Sequence, residues 1–459
     1  MIRMRTIGLT VAILLATGSA ARAWYPYSQR YQKWQAKRPF TMAGLHNGMP
    51  MDKMPERIAR FKAAGLNTVI GHEHHTWHWF EAAREAGMDW ATQHPARFAS
   101  SKWRFGHDGS TAKQVIARAI RQTPGCSFIQ VSDSPTDPKY LDDIGAFSKW
   151  VHREFPGVLT FCVLALPRID HDLYVKKTHP DVFLYYDPYP LGPQGFEMPH
   201  FLRHMAWARA SARRNRLPLW MYLQAAGANR KLVRDGKRVP DQADMRYLMF
   251  TFLAHGGKGA LFFMYYGGWG GPHIDPTVVI DPVADHGRGE THWHRYENSA
   301  RTRAWWAIRD VAPETQVLSR ALLNLRTKDP IGYTGTVPER CKPFTGHGKL
   351  RALANRDNPK ERAMVSFFDD QAGQEYFMVV NLKHGENMSK MDGVQTLRLT
   401  FDPSVTKIER LNRLTGRVEA LKTRAQAGKR ILDVRLEGGT GDLFKWSTGK
   451  PWALRKAVP

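Results

Sequence analysis

Apolar residues in this chain gather into short continuous runs, separated by longer stretches with helical spacing. The runs fall at 39–48, 67–71, 89–93, 127–131, 159–165, 181–186, 217–223 and 260–266. They are continuous rather than alternating, as expected of parallel strands buried on both faces. Between them, 54–64 places Ile58 and Phe61 three apart, and Gly65 follows as a C-cap. Helical stretches are also predicted at 80–86, 111–121, 138–155, 200–214 and 242–254, and from 297 through 325. Eight strand-then-helix units predict an α/β fold, a (β/α)8 barrel rather than a doubly wound open sheet. Residues 24–38 are aromatic and basic without a clear period, and read as an arm wrapped on the domain.

The texture changes after about Lys328. Segments 375–382, 394–401, 405–412 and 430–436 are short, rich in apolar and β-branched residues, and separated by turns. They predict a smaller all-β sandwich domain. Residues 328–372 are weakly patterned and hold either its first strands or a linker. The expected division is 1–23 leader, 24–327 barrel and 328–459 sandwich.

The leader rests on Arg3 and Arg5, an apolar run from Ile7 to Ala16, and Ala21-Arg22-Ala23 as a cleavage signal. The run is too short to span a membrane as a stable helix. A secreted or periplasmic protein is expected, with no stable membrane insertion after cleavage. Three cysteines, Cys126, Cys162 and Cys341, give no metal-binding spacing. The formal charge of +25 favours anionic partners. Its basic residues are dispersed and no nucleic-acid motif accompanies them, so nucleic acid is not the expected partner.

A barrel of this kind works at the C-terminal ends of its strands. Those ends carry His46, Asn47, His72, Glu73, His74, His75, Asp133, Asp187, Gln224, Tyr265, Tyr266 and Trp269. Carboxylates among aromatic and amide side chains suit glycosidic-bond cleavage. One carboxyl protonates the leaving oxygen, another attacks or activates water, and aromatic faces stack on sugar rings.

Asp133-Ser134-Pro135, Tyr185-Tyr186-Asp187-Pro188-Tyr189-Pro190 and Leu219-Trp220-Met221-Tyr222-Leu223-Gln224 resemble segments of bacterial TIM-barrel glycoside hydrolases. The Gly-Lys-Gly step at 257–259 does so too, and Leu436–Phe444 is similar to the ending of the C-terminal β-domain of such enzymes. The resemblance implies a glycosidase with a carbohydrate substrate, which the charge would make acidic or sulfated, and no cofactor. It also carries a departure. Such proteins commonly read Asp-Glu-Pro on strand four, with the Glu as acid/base, where this chain has Ser134. A nucleophilic Glu expected at the end of strand seven is here Gln224.

Three readings stay open. In one, Asp133 and Asp187 form the catalytic pair, with Glu73 as a further candidate acid/base. Substrate contacts then come from His46, Asn47, His72, His74, Gln224, Tyr265 and Trp269. In another, the barrel only binds glycan, through residues such as Trp77, Trp79, Tyr265, Tyr266 and Trp269. In the third, the His72–His75 cluster serves a metal-dependent hydrolase, although its spacing is not His-Glu-x-x-His.

Overall fold

A computed structural model of the chain describes residues 27–46, 54–72, 77–93, 111–133, 138–164, 170–186, 189–192, 195–196, 198–227, 237–266, 278–280, 293–295 and 303–456. Eight parallel strands close into a barrel: β1 (Thr41–His46), β2 (Thr68–His72), β3 (Asp89–Gln93), β4 (Cys126–Asp133), β5 (Leu159–Leu164), β6 (Phe183–Tyr186), β7 (Leu219–Gln224) and β8 (Gly257–Tyr266). They stand in chain order, and β1 pairs with both β2 and β8. A helix precedes them, α1 (Gln29–Gln35). The return helices are α2 (Met54–Ala63), α3 (Trp77–Glu85), α4 (Ala112–Gln122), α5 (Leu141–Glu154), α6 (His171–Thr178), α7 (Met198–Arg214), α8 (Gln242–Ala254) and α9 (Arg303–Leu322). The fold is therefore the expected (β/α)8 barrel followed by a sandwich.

The strands separate two hydrophobic clusters. Outward residues such as Val69, Ile129, Cys162, Tyr185 and Phe262 pack against the helices. Inward residues such as Ala43, Ile70, Phe128, Phe161, Leu184, Trp220 and Leu261 fill the barrel. Trp220 is fully buried, 5.5 Å from Phe128 and 5.9 Å from Phe161 between ring centroids. Its size explains Gly259, because a Cβ there would meet the Trp220 ring at 2.6 Å. Lys258, the residue between two such glycines, is directed away from the interior. Its ammonium donates to the carbonyls of Leu322 and Leu325 at the end of α9, and burial pushes its pKa down to about 7.

The aperiodic arm contains α1, and this helix closes the N-terminal end of the barrel. Trp34 lies 5.6 Å from Trp220, and its indole N–H donates to the Ser127 carbonyl at 2.9 Å. Arg30 donates to the carbonyls of His152, Phe155 and Val158 and pairs with Asp181 at 3.4 Å. The helix is short and its buried face is Tyr31, Trp34 and Gln35. Seven residues are too few to show a helical period in sequence.

The sandwich supplies strands β9 (Arg326–Thr334), β10 (Leu350–Asn355), β11 (Ala363–Asp369), β12 (Glu375–Asn381), β13 (Gln395–Phe401), β14 (Lys407–Leu411), β15 (Val418–Lys422), β16 (Arg424–Gln426), β17 (Lys429–Leu436) and β18 (Gly441–Trp446). They form a six-stranded sheet, β9-β11-β12-β18-β14-β15, and a four-stranded sheet, β10-β13-β17-β16. The weakly patterned residues 328–372 therefore hold strands.

The six-stranded sheet packs one face on the other sheet and the opposite face on the barrel helices, through Met364, Phe368, Met378 and Leu443. A charged seam reinforces this contact at α8 and α9. Asp244 lies in a capping box with Asp241 at the start of α8. It accepts from Arg238 at 2.6 Å and from His384 of the sandwich at 2.7 Å. Arg413 of the sandwich reaches Glu314 of α9 at 2.7 Å, and Arg246 of α8 donates to the Gly438 carbonyl at 3.0 Å. Gly439 has φ +74°, and a Cβ there would stand 3.0 Å from the Tyr247 backbone nitrogen. The glycine-rich ending of the chain is thus shaped by its approach to α8. Among the described residues, no helix is long and apolar enough to cross a membrane.

Two predictions follow from these contacts. Trp34→Ala opens a cavity under Trp220 and should cost about 3–5 kcal/mol in urea unfolding, with the secondary-structure signal retained in the folded baseline. Burial by itself would raise the Asp244 carboxyl, but His384 and Arg238 hold it down to about 2. A carboxyl depressed below its unfolded value stabilises the fold above that value, and the contribution fades as pH falls through about 2. The stability advantage of the native chain over Asp244→Asn should therefore shrink by about 2 kcal/mol between pH 5 and pH 2. An advantage independent of pH in that window would show that Asp244 is not held as a carboxylate.

Candidate functional site

With α1 closing one end, the other end of the barrel is formed, among the described residues, by the C-terminal strand ends. The interior changes character there, from apolar to polar. Gln93 at the end of β3, Gln130 on β4 and Tyr222 on β7 form a triangle of hydrogen bonds. The Tyr222 hydroxyl donates to Gln130 Oε1 at 2.9 Å, and the Gln93 amide donates to Gln130 Oε1 at 3.1 Å and to the Tyr222 oxygen at 3.3 Å. Gln130 and Tyr222 are buried, whereas Gln93 is only half-buried. Beside them stand Tyr186 and Phe263, both half-buried, with Tyr189 stacked on Phe263 at 5.3 Å. Planar amides and aromatic rings at one level of the barrel are suited to hydroxyl-rich ligands. Gln93, Gln130 and Phe263 are not legible as site residues in the sequence, because each reads as one more residue of a buried strand. The available signal was their shared level at the strand ends.

Strand β4 is irregular near its end. Gln130 pairs with Phe161, but Ser132 pairs with Cys162 and Asp133 with Val163, so β4 holds one extra residue against β5. Phe161 and Val163 belong to the barrel interior, and Cys162 to the helix-facing layer. Position 133 is thereby level with an interior position. In a regular ladder Ser132 would stand there, and Asp133 would be level with Leu164 of the helix-facing layer. A bulge that changes which residue occupies a face is a recurrent device beside active sites. His72 is likewise level with Gln93 across β2 and β3. His46 ends β1, level with Tyr266.

The other candidates divide into two groups. Asn47, Glu73, His74, His75, Ser134, Asp187 and Trp269 lie outside the described residues. Gln224, Tyr265 and Trp79 are described, and each is committed to the fold. Tyr265 is buried in the helix-facing layer, its ring 4.5 Å from Phe61 of α2. The strand is irregular here, for Gly44 of β1 pairs with Phe262 but His46 pairs with Tyr266. Trp79 is fully buried in the same layer. Gln224 is buried and its amide is spent on backbone. Its oxygen accepts from Leu191 N at 2.9 Å, and its NH2 donates to the carbonyls of Arg238 at 3.0 Å and Leu191 at 3.3 Å. It ties the segment after β6 to the segment before α8. Among the described residues, no three His, Cys, Asp or Glu side chains gather in a way that would hold a metal ion.

The role of Gln224 generates a test. Gln224→Glu places a carboxylate against carbonyl oxygens that now receive an N–H, so it should destabilise the protein by about 1–3 kcal/mol at neutral pH. It should add no hydrolytic activity. Gain of turnover in this variant would mean that position 224 faces substrate.

No family model matches the chain, and no curated protein matches it in sequence. Solved structures do match. A protein described as a glycoside hydrolase aligns with a TM-score of 0.53 and 11% identity, covering 90% of this chain and 93% of that one. A glycoside hydrolase family 5 protein from Bacteroides vulgatus aligns with a TM-score of 0.53 and 12% identity, covering 91% and 92%. At such identities the likeness is one of fold.

Proposed function

We propose that the protein is an exported glycosidase that acts on a polysaccharide or oligosaccharide by carboxylate acid/base catalysis. The observation that carries this reading is the β4 bulge, which gives residue 133 an interior level at the open end of the barrel. A carboxylate at that level adjoins the floor of Gln93, Gln130, Tyr186 and Tyr222, groups that hydrogen-bond and stack with sugars. The fold shared with glycoside hydrolases supports the same substrate class. Asp187 follows directly on Tyr186, one strand beyond β5, and is the proposed second carboxylate. Glu73 directly follows His72 at the same end of the barrel and is the alternative partner.

In this scheme one carboxyl protonates the glycosidic oxygen as the bond to the anomeric carbon breaks. The other carboxylate either attacks that carbon or removes a proton from the attacking water. A carboxyl separation of about 5–5.5 Å would give retention of configuration, and about 6.5–9.5 Å inversion. The net charge of +25 suits an acidic or sulfated glycan.

Gln224 favours a second reading, that of a glycan-binding barrel without turnover. The position at which a nucleophilic Glu was expected is occupied by an amide fully used in holding backbone. Hydrolysis of a panel of neutral, uronic and sulfated glycans separates the two. Asp133→Asn and Asp187→Asn should each lower turnover by about 10²–10⁴-fold while glycan affinity changes little. If both variants keep full turnover, the carboxylate assignment fails. If the native chain binds glycan without turning over any of them, the binding reading replaces it.

A further inference from the structure

The four-stranded sheet of the sandwich has one face in the core and one directed away from the barrel. Leu397, Leu399 and Phe401 of β13 pack inward with Val434 and Leu436 of β17. The alternate residues Thr396, Arg398 and Thr400 are level with Arg435, Asp433 and Ile431 on the outer face. Ala354 and Ala352 of β10 are level with Arg398 and Thr400, so the face is low on that side. Arg356, just beyond β10, and Arg424 of β16 reach in from the two edges.

Three guanidinium groups converge there on one carboxylate. Arg398 donates through Nε to Asp433 Oδ1 at 2.8 Å and through Nη2 to Oδ2 at 3.0 Å. Arg356 Nη1 reaches the same Oδ2 at 3.0 Å, and Arg424 Nη2 reaches it at 3.5 Å. One carboxylate cannot neutralise three arginines. The guanidinium groups carry about fifteen N–H donors between them, and four of these point to Asp433. Arg356 and Arg424 are half exposed, at 50% and 54%. Arg435 adds a further exposed cation on the same face. The nearby acid Asp357 accepts from the Thr396 amide at the sheet edge.

We propose that this sheet face is a second glycan-binding surface, specific for polysaccharides that carry carboxylate or sulfate groups. Guanidinium forks match the planar or tripod oxygens of such groups bidentately. Asp433 gathers the arginines into one place and at the same time competes with the ligand for their donors. The surface lies on the side of the sandwich opposite the barrel, so it holds polymer independently of the barrel mouth. The choice of glycan over other polyanions rests on the glycosidase reading. The binding itself does not.

Asp433 makes the test sharp. Binding to immobilised polygalacturonate, heparin, dextran and single-stranded DNA would be measured at low and high salt, on the Asp133→Asn background, so that turnover plays no part. The combined variant Arg356→Gln, Arg424→Gln, Arg435→Gln should lose about 10-fold or more in affinity for polygalacturonate or heparin. Asp433→Asn should instead bind more tightly, because it frees Arg398, Arg356 and Arg424. A purely structural cluster would give weakening or no change. Arg213→Gln with Arg214→Gln, remote basic substitutions on α7, should leave binding unaltered. Thermal melts identify a variant that fails to fold, and the triple substitution decides the matter if Asp433→Asn does so. Unchanged affinity in the triple variant, or binding of DNA as tight as that of the acidic glycans, overturns the proposal.

Discussion

The packing of Trp34 under Trp220 sets the terms for the rest of the molecule. A closed eight-stranded barrel has two ends, and α1 seals one of them with indole and phenol rings. Above that layer Phe128, Phe161 and Trp220 fill the interior from three strands, and Gly259 is the concession that lets Trp220 fit. The lower barrel is filled mainly by apolar side chains, and the larger polar ones enter the interior near the C-terminal strand ends. That is where Gln93, Gln130 and Tyr222 satisfy one another.

The second constraint is the seam along α8 and α9. Asp244, Glu314 and Asp442 meet Arg238, His384 and Arg413 in buried or nearly buried pairs, where removal of one partner leaves an uncompensated charge. Such pairing gives the contact its orientation, while Met364, Phe368 and Leu443 supply its apolar area. The seam also concerns the barrel mouth indirectly. Arg238, which pairs with Asp244, offers its carbonyl to Gln224, and Gln224 in turn holds Leu191 after β6. The sandwich, the start of α8 and the segments around the mouth are therefore linked through hydrogen-bonded neighbours.

Legibility differed between the two levels. All eight barrel strands were readable as largely apolar runs, because burial on both faces leaves few polar positions. Helix α6 was missed: its eight residues, HDLYVKKT, carry only a weak stripe, although Asp170 caps it. The first three sandwich strands were blurred for a different reason. In β10 outward Arg351, Ala352 and Ala354 interrupt the apolar set, and register shifts break the alternation in β9 and β10. At the mouth, Asp133 was singled out from its place before Ser134-Pro135, whereas Tyr265 and Gln224 read as mouth residues and are packed into the fold.

The sequence by itself determined the architecture, since the order of apolar runs and turns admits few arrangements that bury them. It also determined the glycines at 257, 259 and 439, where the chain comes close to Phe252, Trp220 and α8. Which residues share the inner face was decided only in the tertiary structure. An extra residue in β4 exchanges inside for outside without any change in local composition. A strand's two faces differ by one residue, and the pairing partner, not the strand itself, sets that count.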